Sequence, residues 1–228
     1  MGLIVIEGLD GVGKSTQISG LSSYLTANGY HCRQQHFPRF ECPVYGELIG
    51  RFLRGEMGDI NQVDPYLTAL MYAGDRDNFK PTLENWMKQG DMILLDRYVY
   101  SNVAYQCAKL TEKEEKQNLR QWILDLEFEY NKLPKPELNI FLDAPVMFTQ
   151  KKLTGIRNED PKSYLQGKTD IHETNHHFQK NVREEYLFLT ETVEEFVKID
   201  CSDGQDILPV DQILDQILNV INDKILKK

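Results

Sequence analysis

Short apolar runs alternate along this chain with longer stretches in which apolar residues recur at helical spacing. Leu3-Ile4-Val5-Ile6 opens the series and predicts a buried strand from Leu3 to Glu7. A helical pattern follows from Ser15 to about Asn28, and Asn28-Gly29 closes it. His31 to Phe37 predicts a second strand. Met92-Ile93-Leu94-Leu95-Asp96, entered through Gln89-Gly90, predicts a third. Leu138 to Asp143, after Pro134 and Pro136, predicts a fourth, and Phe196 to Asp200 a fifth. Strands separated by helices imply a parallel sheet with helices on both faces. Right-handed crossovers then bring the C-terminal strand ends to one edge, where ligands bind in such sheets. Glu7, Phe37, Asp96 and Asp143 are expected there. The expected class is α/β: a five-stranded parallel sheet flanked by helices in three layers, one domain over residues 1–228. Pro209 opens a last amphipathic helix, and core packing is the default for its Ile213, Leu214, Ile217, Leu218 and Ile221.

One stretch breaks the pattern. Between residues 151 and 170 the chain is polar, basic and punctuated by Gly155, Pro161 and Gly167. An ordinary solvated loop explains it as well as a mobile lid does, on composition alone. The formal net charge of −9 disfavours a general nucleic-acid binder, while a local cationic pocket for a small phosphorylated ligand remains open. Cys32, Cys42, Cys107 and Cys201 are scattered without zinc spacing, which points to free thiols in a reducing compartment. No apolar run approaches membrane-spanning length, no signal peptide precedes Leu3, and Ile6 stands where a myristoylation signal wants Ser or Thr. A cytoplasmic protein with no membrane partner is expected.

The strongest chemical signal is Gly8-Leu9-Asp10-Gly11-Val12-Gly13-Lys14-Ser15, followed by Thr16. It fits G-x-x-x-x-G-K-[ST] and lies between a strand and a helix, as a phosphate-binding P-loop must. Backbone N–H groups and the helix N-terminus would cradle phosphate, Lys14 would reach the terminal phosphates, and Ser15 would ligate Mg²⁺. A triphosphate ligand follows; its fate does not.

Other residues choose the reaction. Asp96 at the third strand's end can hold Mg²⁺ or orient an arginine, and Arg97 offers a planar fork for phosphate. A purely structural Asp–Arg pair is an equal alternative. Phe37-Pro38-Arg39 ends the second strand, with Arg39 a candidate for a second phosphate. Tyr72 and Arg76 share a helix face and are suited to stack on a base and bond its edge. Without further context, Leu67, Leu70, Met71 and Tyr72 read as plain core. Tyr100, Tyr105 and Gln106 form a further polar-aromatic group.

Together, residues 8–16, Phe37-Pro38-Arg39, Tyr72 with Arg76, and Asp96-Arg97-Tyr98 with Ser101, Tyr105 and Gln106 resemble the thymidylate (dTMP) kinases, from Leu3 to about Leu189. The resemblance implies a P-loop fold with a lid and transfer of the γ-phosphoryl of ATP to dTMP with Mg²⁺. It implies that Gly8 to Thr16 hold ATP and that Lys14, Arg97 and Asp10 are catalytic, Asp10 also meeting the acceptor's 3′-hydroxyl. Phe37, Arg39, Leu53, Tyr72, Arg76, Arg97, Ser101, Tyr105 and Gln106 would bind dTMP, with Phe52 beside Leu53 as apolar wall. Tyr105 would crowd the sugar 2′ position, and Ser15 and Asp96 would serve the metal. A homodimer is implied as well. The chain departs from the family at Gly11, where some members carry arginine, which moves the search for a cation to the lid and to Lys152, Arg157 and Lys168. It departs again at Phe40, where the acceptor-phosphate arginine usually stands, and in Asp170-Ile171-His172-Glu173, where Ile171 replaces an arginine.

Two other readings stay open from sequence. A deoxynucleoside kinase, or another nucleoside monophosphate kinase, is the nearer one; for the former, Glu7 would act as base. A GTP-type switch would want N-K-x-D, and Asn131-Lys132-Leu133-Pro134 ends in proline instead.

Overall fold

A computed structural model describes residues 2–149, 163–168, 170–204 and 206–226. Its five strands are β1 (Gly2–Gly8), β2 (Cys32–His36), β3 (Met92–Asp96), β4 (Leu138–Asp143) and β5 (Phe196–Asp200). They lie in the order β2-β3-β1-β4-β5, with every pairing parallel. The expected strands and class are therefore present. β1, β3 and β4 are buried along their whole length, which is why they read as continuous apolar runs rather than alternating ones. β2 is an edge strand, mostly half-buried or exposed, and is correspondingly polar.

Helices cover both faces. α1 (Lys14–Ala27) and the C-terminal helix α8 (Val210–Ile221) pack on one side, with Ile213, Ile217 and Ile221 buried beside Ile18, Leu21 and Leu25. On the other lie α3 (Pro65–Gln89), α4 (Val99–Cys107), α5 (Lys113–Leu124) and α7 (His176–Thr192). α2 (Tyr45–Leu53) and the short α6 (Ile171–Thr174) stand above the strand ends. The long α3 begins at Asp64, whose carboxylate accepts from the N–H groups of Tyr66 and Leu67, and has Pro65 in its first turn. Its Leu67 and Leu70 are 62% and 49% exposed, so the plain-core reading of these positions fails. Periodicity marked an apolar stripe, and only part of that stripe turns inward.

Two of the four residues expected at the ligand edge have structural partners instead. Glu7 is fully buried and caps α4: one oxygen accepts from the backbone N–H of Tyr98 (3.0 Å) and Ser101 (3.2 Å). A carboxylate at a helix N-terminus is electrostatically favoured. Asp143 is held by Arg183 through a fork of 2.6 and 2.8 Å. Phe37 and Asp96 stay at the edge and line the cavity described next.

Candidate active site

A cavity of about 480 Å³ opens over the C-terminal ends of β1 and β3. Its floor at one end is the P-loop. Gly13 has φ 103°, a left-handed conformation that suits glycine, and lets the loop turn into α1. A side chain at Gly8 would meet the carbonyl oxygen of Leu142 at 3.0 Å. Gly11, Gly13, Lys14, Ser15 and Thr16 line the cavity, whereas Leu9 and Val12 are buried beneath the loop and hold its shape. Lys14 Nζ donates to the carbonyls of Gly8 (3.2 Å) and Leu9 (3.1 Å). Burial, with Arg97 nearby, lowers its pKa to about 8. Ser15 Oγ donates to Asp96 Oδ2 at 3.2 Å, and Asp96 Oδ1 is buried with no hydrogen-bond partner. Burial resists ionisation of Asp96, but the His36 hydrogen bond, Lys14 and Arg97 outweigh it and lower the pKa to about 2. A hydroxyl beside a carboxylate with an uncommitted oxygen suits a hard divalent cation whose other ligands are phosphate and water.

Arg97 stands at the centre. It has φ 69°, an uncommon conformation for a residue with a side chain. Its guanidinium is gripped on two sides. Nη2 donates to Asp10 Oδ1 (2.9 Å) and to the Tyr105 hydroxyl (3.1 Å), while Nη1 donates to Ser101 Oγ (3.2 Å) and the Tyr186 hydroxyl (3.4 Å). Tyr105 in turn donates to Asp10 Oδ2 at 3.2 Å. Ser101 Oγ and Tyr186 both bond the buried Glu7 carboxylate, with 2.9 Å for Tyr186. Glu7 thus anchors the residues that hold Arg97. Burial raises its pKa, and both oxygens are engaged, so it does not serve as an exposed general base.

At the far end the wall changes character. Tyr72, Leu53 and Phe40 join Phe52, Ile49 and Met57 in an apolar cluster. Arg76, 2% exposed, is clamped by Glu127 through Nε (2.5 Å) and Nη2 (2.7 Å), which leaves its third nitrogen, Nη1. Asn102 donates to the same carboxylate (2.9 Å) and to the Ala69 carbonyl (3.0 Å). These bonds fix its oxygen as an acceptor facing the Gln106 amide at 3.4 Å. Gln106 Oε1 is buried and unpartnered. Tyr164 closes the wall, stacked on Phe40 with ring centroids 3.6 Å apart.

The family model described as thymidylate kinase matches residues 6–209. The chain belongs to the thymidylate kinase family. It is 33% identical over 159 residues to the thymidylate kinase of Mycobacterium tuberculosis, spanning 70% of this chain and 73% of that one. It is 31% identical to a probable thymidylate kinase of Thermococcus onnurineus, with 99% of each chain covered. A solved structure of the Candida albicans thymidylate kinase superposes with a TM-score of 0.70 at 26% identity, covering 97% of this chain and 91% of that one. Family members are nucleoside monophosphate kinases, that is, phosphotransferases.

Most residues expected from the thymidylate kinase resemblance meet in this one cavity: Asp10, Lys14, Ser15, Phe37, Leu53, Tyr72, Arg76, Asp96, Arg97, Ser101, Tyr105 and Gln106 all line it. Arg39 does not. Its guanidinium bonds Asp75 (2.9 Å) and Asn78 (2.8 Å) and lies over the Phe79 ring, so it braces the β2–α3 junction. Of the lid candidates, Lys152 and Arg157 lie outside the described residues, and Lys168 pairs with Glu56 at 3.0 Å. The Asn131 carbonyl accepts from Lys80 Nζ (2.6 Å), in a connection before β4 rather than a base-reading loop. Sequence reasoning missed Asn102, Glu127, Tyr164, Tyr186 and His172. Asn102 sits inside the quoted Asp96–Gln106 run and was within reach; Glu127 and Tyr186 carry no local signature.

Proposed function

We propose that this chain transfers the γ-phosphoryl of ATP to dTMP, giving dTDP and ADP, in the supply of thymidine nucleotides. One observation carries the reading. The same cavity holds a P-loop at one end and, at the other, a guanidinium and an amide fixed by buried partners beside an apolar wall. In this reading the P-loop amides and Lys14 hold the donor phosphates. Arg97 lies between the two ends and neutralises charge on the transferring group. Asp10 receives the acceptor's 3′-hydroxyl. Tyr72 stacks on thymine, Arg76 Nη1 donates to its O4, and Gln106 Oε1 accepts from N3–H. Such transfer depends on positioning and electrostatics rather than a covalent nucleophile. Ser15 and Asp96 are the residues that would hold Mg²⁺, which screens phosphate charge when bound.

The deoxynucleoside kinase alternative would use Glu7 as base, and Glu7 is committed to α4, Ser101 and Tyr186. A homodimer is part of the proposal. The exposed Leu67 and Leu70 on α3, next to the Tyr66–Trp122 ring pair, offer an apolar face for a second copy. Four free thiols favour a reducing compartment, the cytoplasm, and no described helix is long and apolar enough to cross a membrane. An acceptor screen with ATP and Mg²⁺ tests the function. dTMP should be consumed with equal yields of dTDP and ADP, ahead of dUMP and dCMP. Fast phosphorylation of thymidine with dTMP idle would overturn it.

A further inference from the structure

The edge strand β2 ends in an imidazole that the transfer chemistry above does not use. His36 lies opposite Asp96 in the parallel β2–β3 register, and the next N–H, that of Phe37, donates to the Asp96 carbonyl (3.0 Å). Backbone pairing therefore holds the two side chains together. His36 lines the cavity with Ser15 and Asp96, and its side chain is 49% exposed, so a solute can reach it. Nδ1 lies 3.3 Å from Asp96 Oδ2, and Ser15 Oγ meets the same oxygen at 3.2 Å. Among the described residues the ring has no other hydrogen-bond or ion-pair partner. In an octahedral shell with ligands about 2.1 Å from the ion, neighbouring donor atoms stand roughly 3 Å apart. Both separations at Asp96 Oδ2 are close to that spacing. A histidine kept only to neutralise Asp96 would duplicate Lys14 and Arg97, which already favour its charged form.

We propose that His36 Nδ1 is a further protein ligand, beside Ser15 and Asp96, for the divalent cation at the P-loop, and that it tilts this site toward first-row transition ions over Mg²⁺. The proposal rests on the cation site of the proposed function and not on the identity of the acceptor. As a ligand, Nδ1 gives its lone pair and the ring proton stays on Nε2. Mg²⁺ is a hard ion that takes oxygen, whereas imidazole nitrogen suits borderline ions, and affinity for a mixed nitrogen and oxygen site rises from Mn²⁺ along the first row. One nitrogen and two oxygens leave the remaining positions to phosphate oxygens and water.

The test is pulsed electron paramagnetic resonance of Mn²⁺ bound to the wild-type chain with the β,γ-methylene analogue of ATP, which cannot transfer its phosphoryl. A directly coordinated nitrogen should appear, and growing the protein with ¹⁵N-histidine alone should convert its coupling from ¹⁴N to ¹⁵N. A spectrum that labelling leaves unchanged would overturn the assignment. The same complex in H36A should lose this coupling. Its Mn²⁺ affinity should fall at least about tenfold, the scale on which even outer-shell partners of a metal act, while its Mg²⁺ affinity stays within about threefold. An unchanged Mn²⁺ affinity, or equal losses for both ions, would contradict the proposal. The labelling arm uses the wild-type chain, so it decides the matter even where H36A does not fold. A wild-type chain that binds the analogue with neither ion would overturn the Ser15–Asp96 cation site and the role of His36 with it, whereas Mn²⁺ bound without histidine nitrogen overturns the role of His36 alone.

Discussion

The two ends of the cavity are built in different ways. The end proposed for the donor phosphates is a contiguous run of backbone, Gly8 to Thr16, shaped by its glycines and the start of α1. The end proposed for the acceptor is an assembly of side chains, several of them held by buried partners far away in sequence. Arg76 leans on Glu127, 51 positions on, and Arg97 on Ser101 and Tyr186, which Glu7 ties together. A backbone site tolerates change in its surroundings as long as the loop can form. A side-chain site fails when a partner is lost, even one that never meets the ligand.

The largest expected effect tests where the two ends join. Arg97→Ala should lower kcat by about 10³ or more in steady-state assays, because it removes charge stabilisation at the transferring phosphoryl. Near-normal turnover would take Arg97 out of the chemistry. Next comes the anchoring of the acceptor end. Glu127→Ala leaves the Arg76 charge buried and uncompensated, which should cost roughly 3–5 kcal/mol in urea unfolding. A loss under about 1 kcal/mol would mean that the clamp is not structural. The phosphate end makes a pH prediction. Lys14, with its pKa lowered to about 8, is protonated in the free chain below that value and loses its charge above it. Bound phosphate favours the charged form, so ATP affinity should be flat below about pH 8 and fall by up to about tenfold per pH unit above it. Calorimetric titration across pH 7 to 9.5 reads this, and an affinity that rises with pH would contradict it.

The same contrast explains what sequence could reveal. The P-loop was legible because its chemistry is written in one contiguous stretch, and the central strands because burial on both faces makes them uniformly apolar. Tyr72 and Arg76 were legible because helical spacing places them on one face. Glu127 was not: it lies in Asp125–Tyr130, a charged stretch that reads as solvated helix surface, yet it is fully buried. Glu7 was misleading, since a carboxylate ending a central strand suits catalysis and helix capping equally well, and the arrival of α4 over it decides. Arg39 failed for a related reason. A strand-end arginine at a ligand edge is a sound phosphate candidate until Asp75, brought in by α3, captures it. His172 sits in a segment noted for departing from the family pattern, and three aromatic neighbours from separate elements give it its setting.

In the proposed function Arg76 reads the acceptor while Arg39 braces the fold. Steady-state KM values for dTMP and ATP in R76M and R39M, both confirmed folded, separate these two roles. R76M should raise the KM for dTMP about tenfold or more and leave that for ATP within roughly twofold, while R39M should change neither. A rise in the dTMP KM confined to R39M would contradict it.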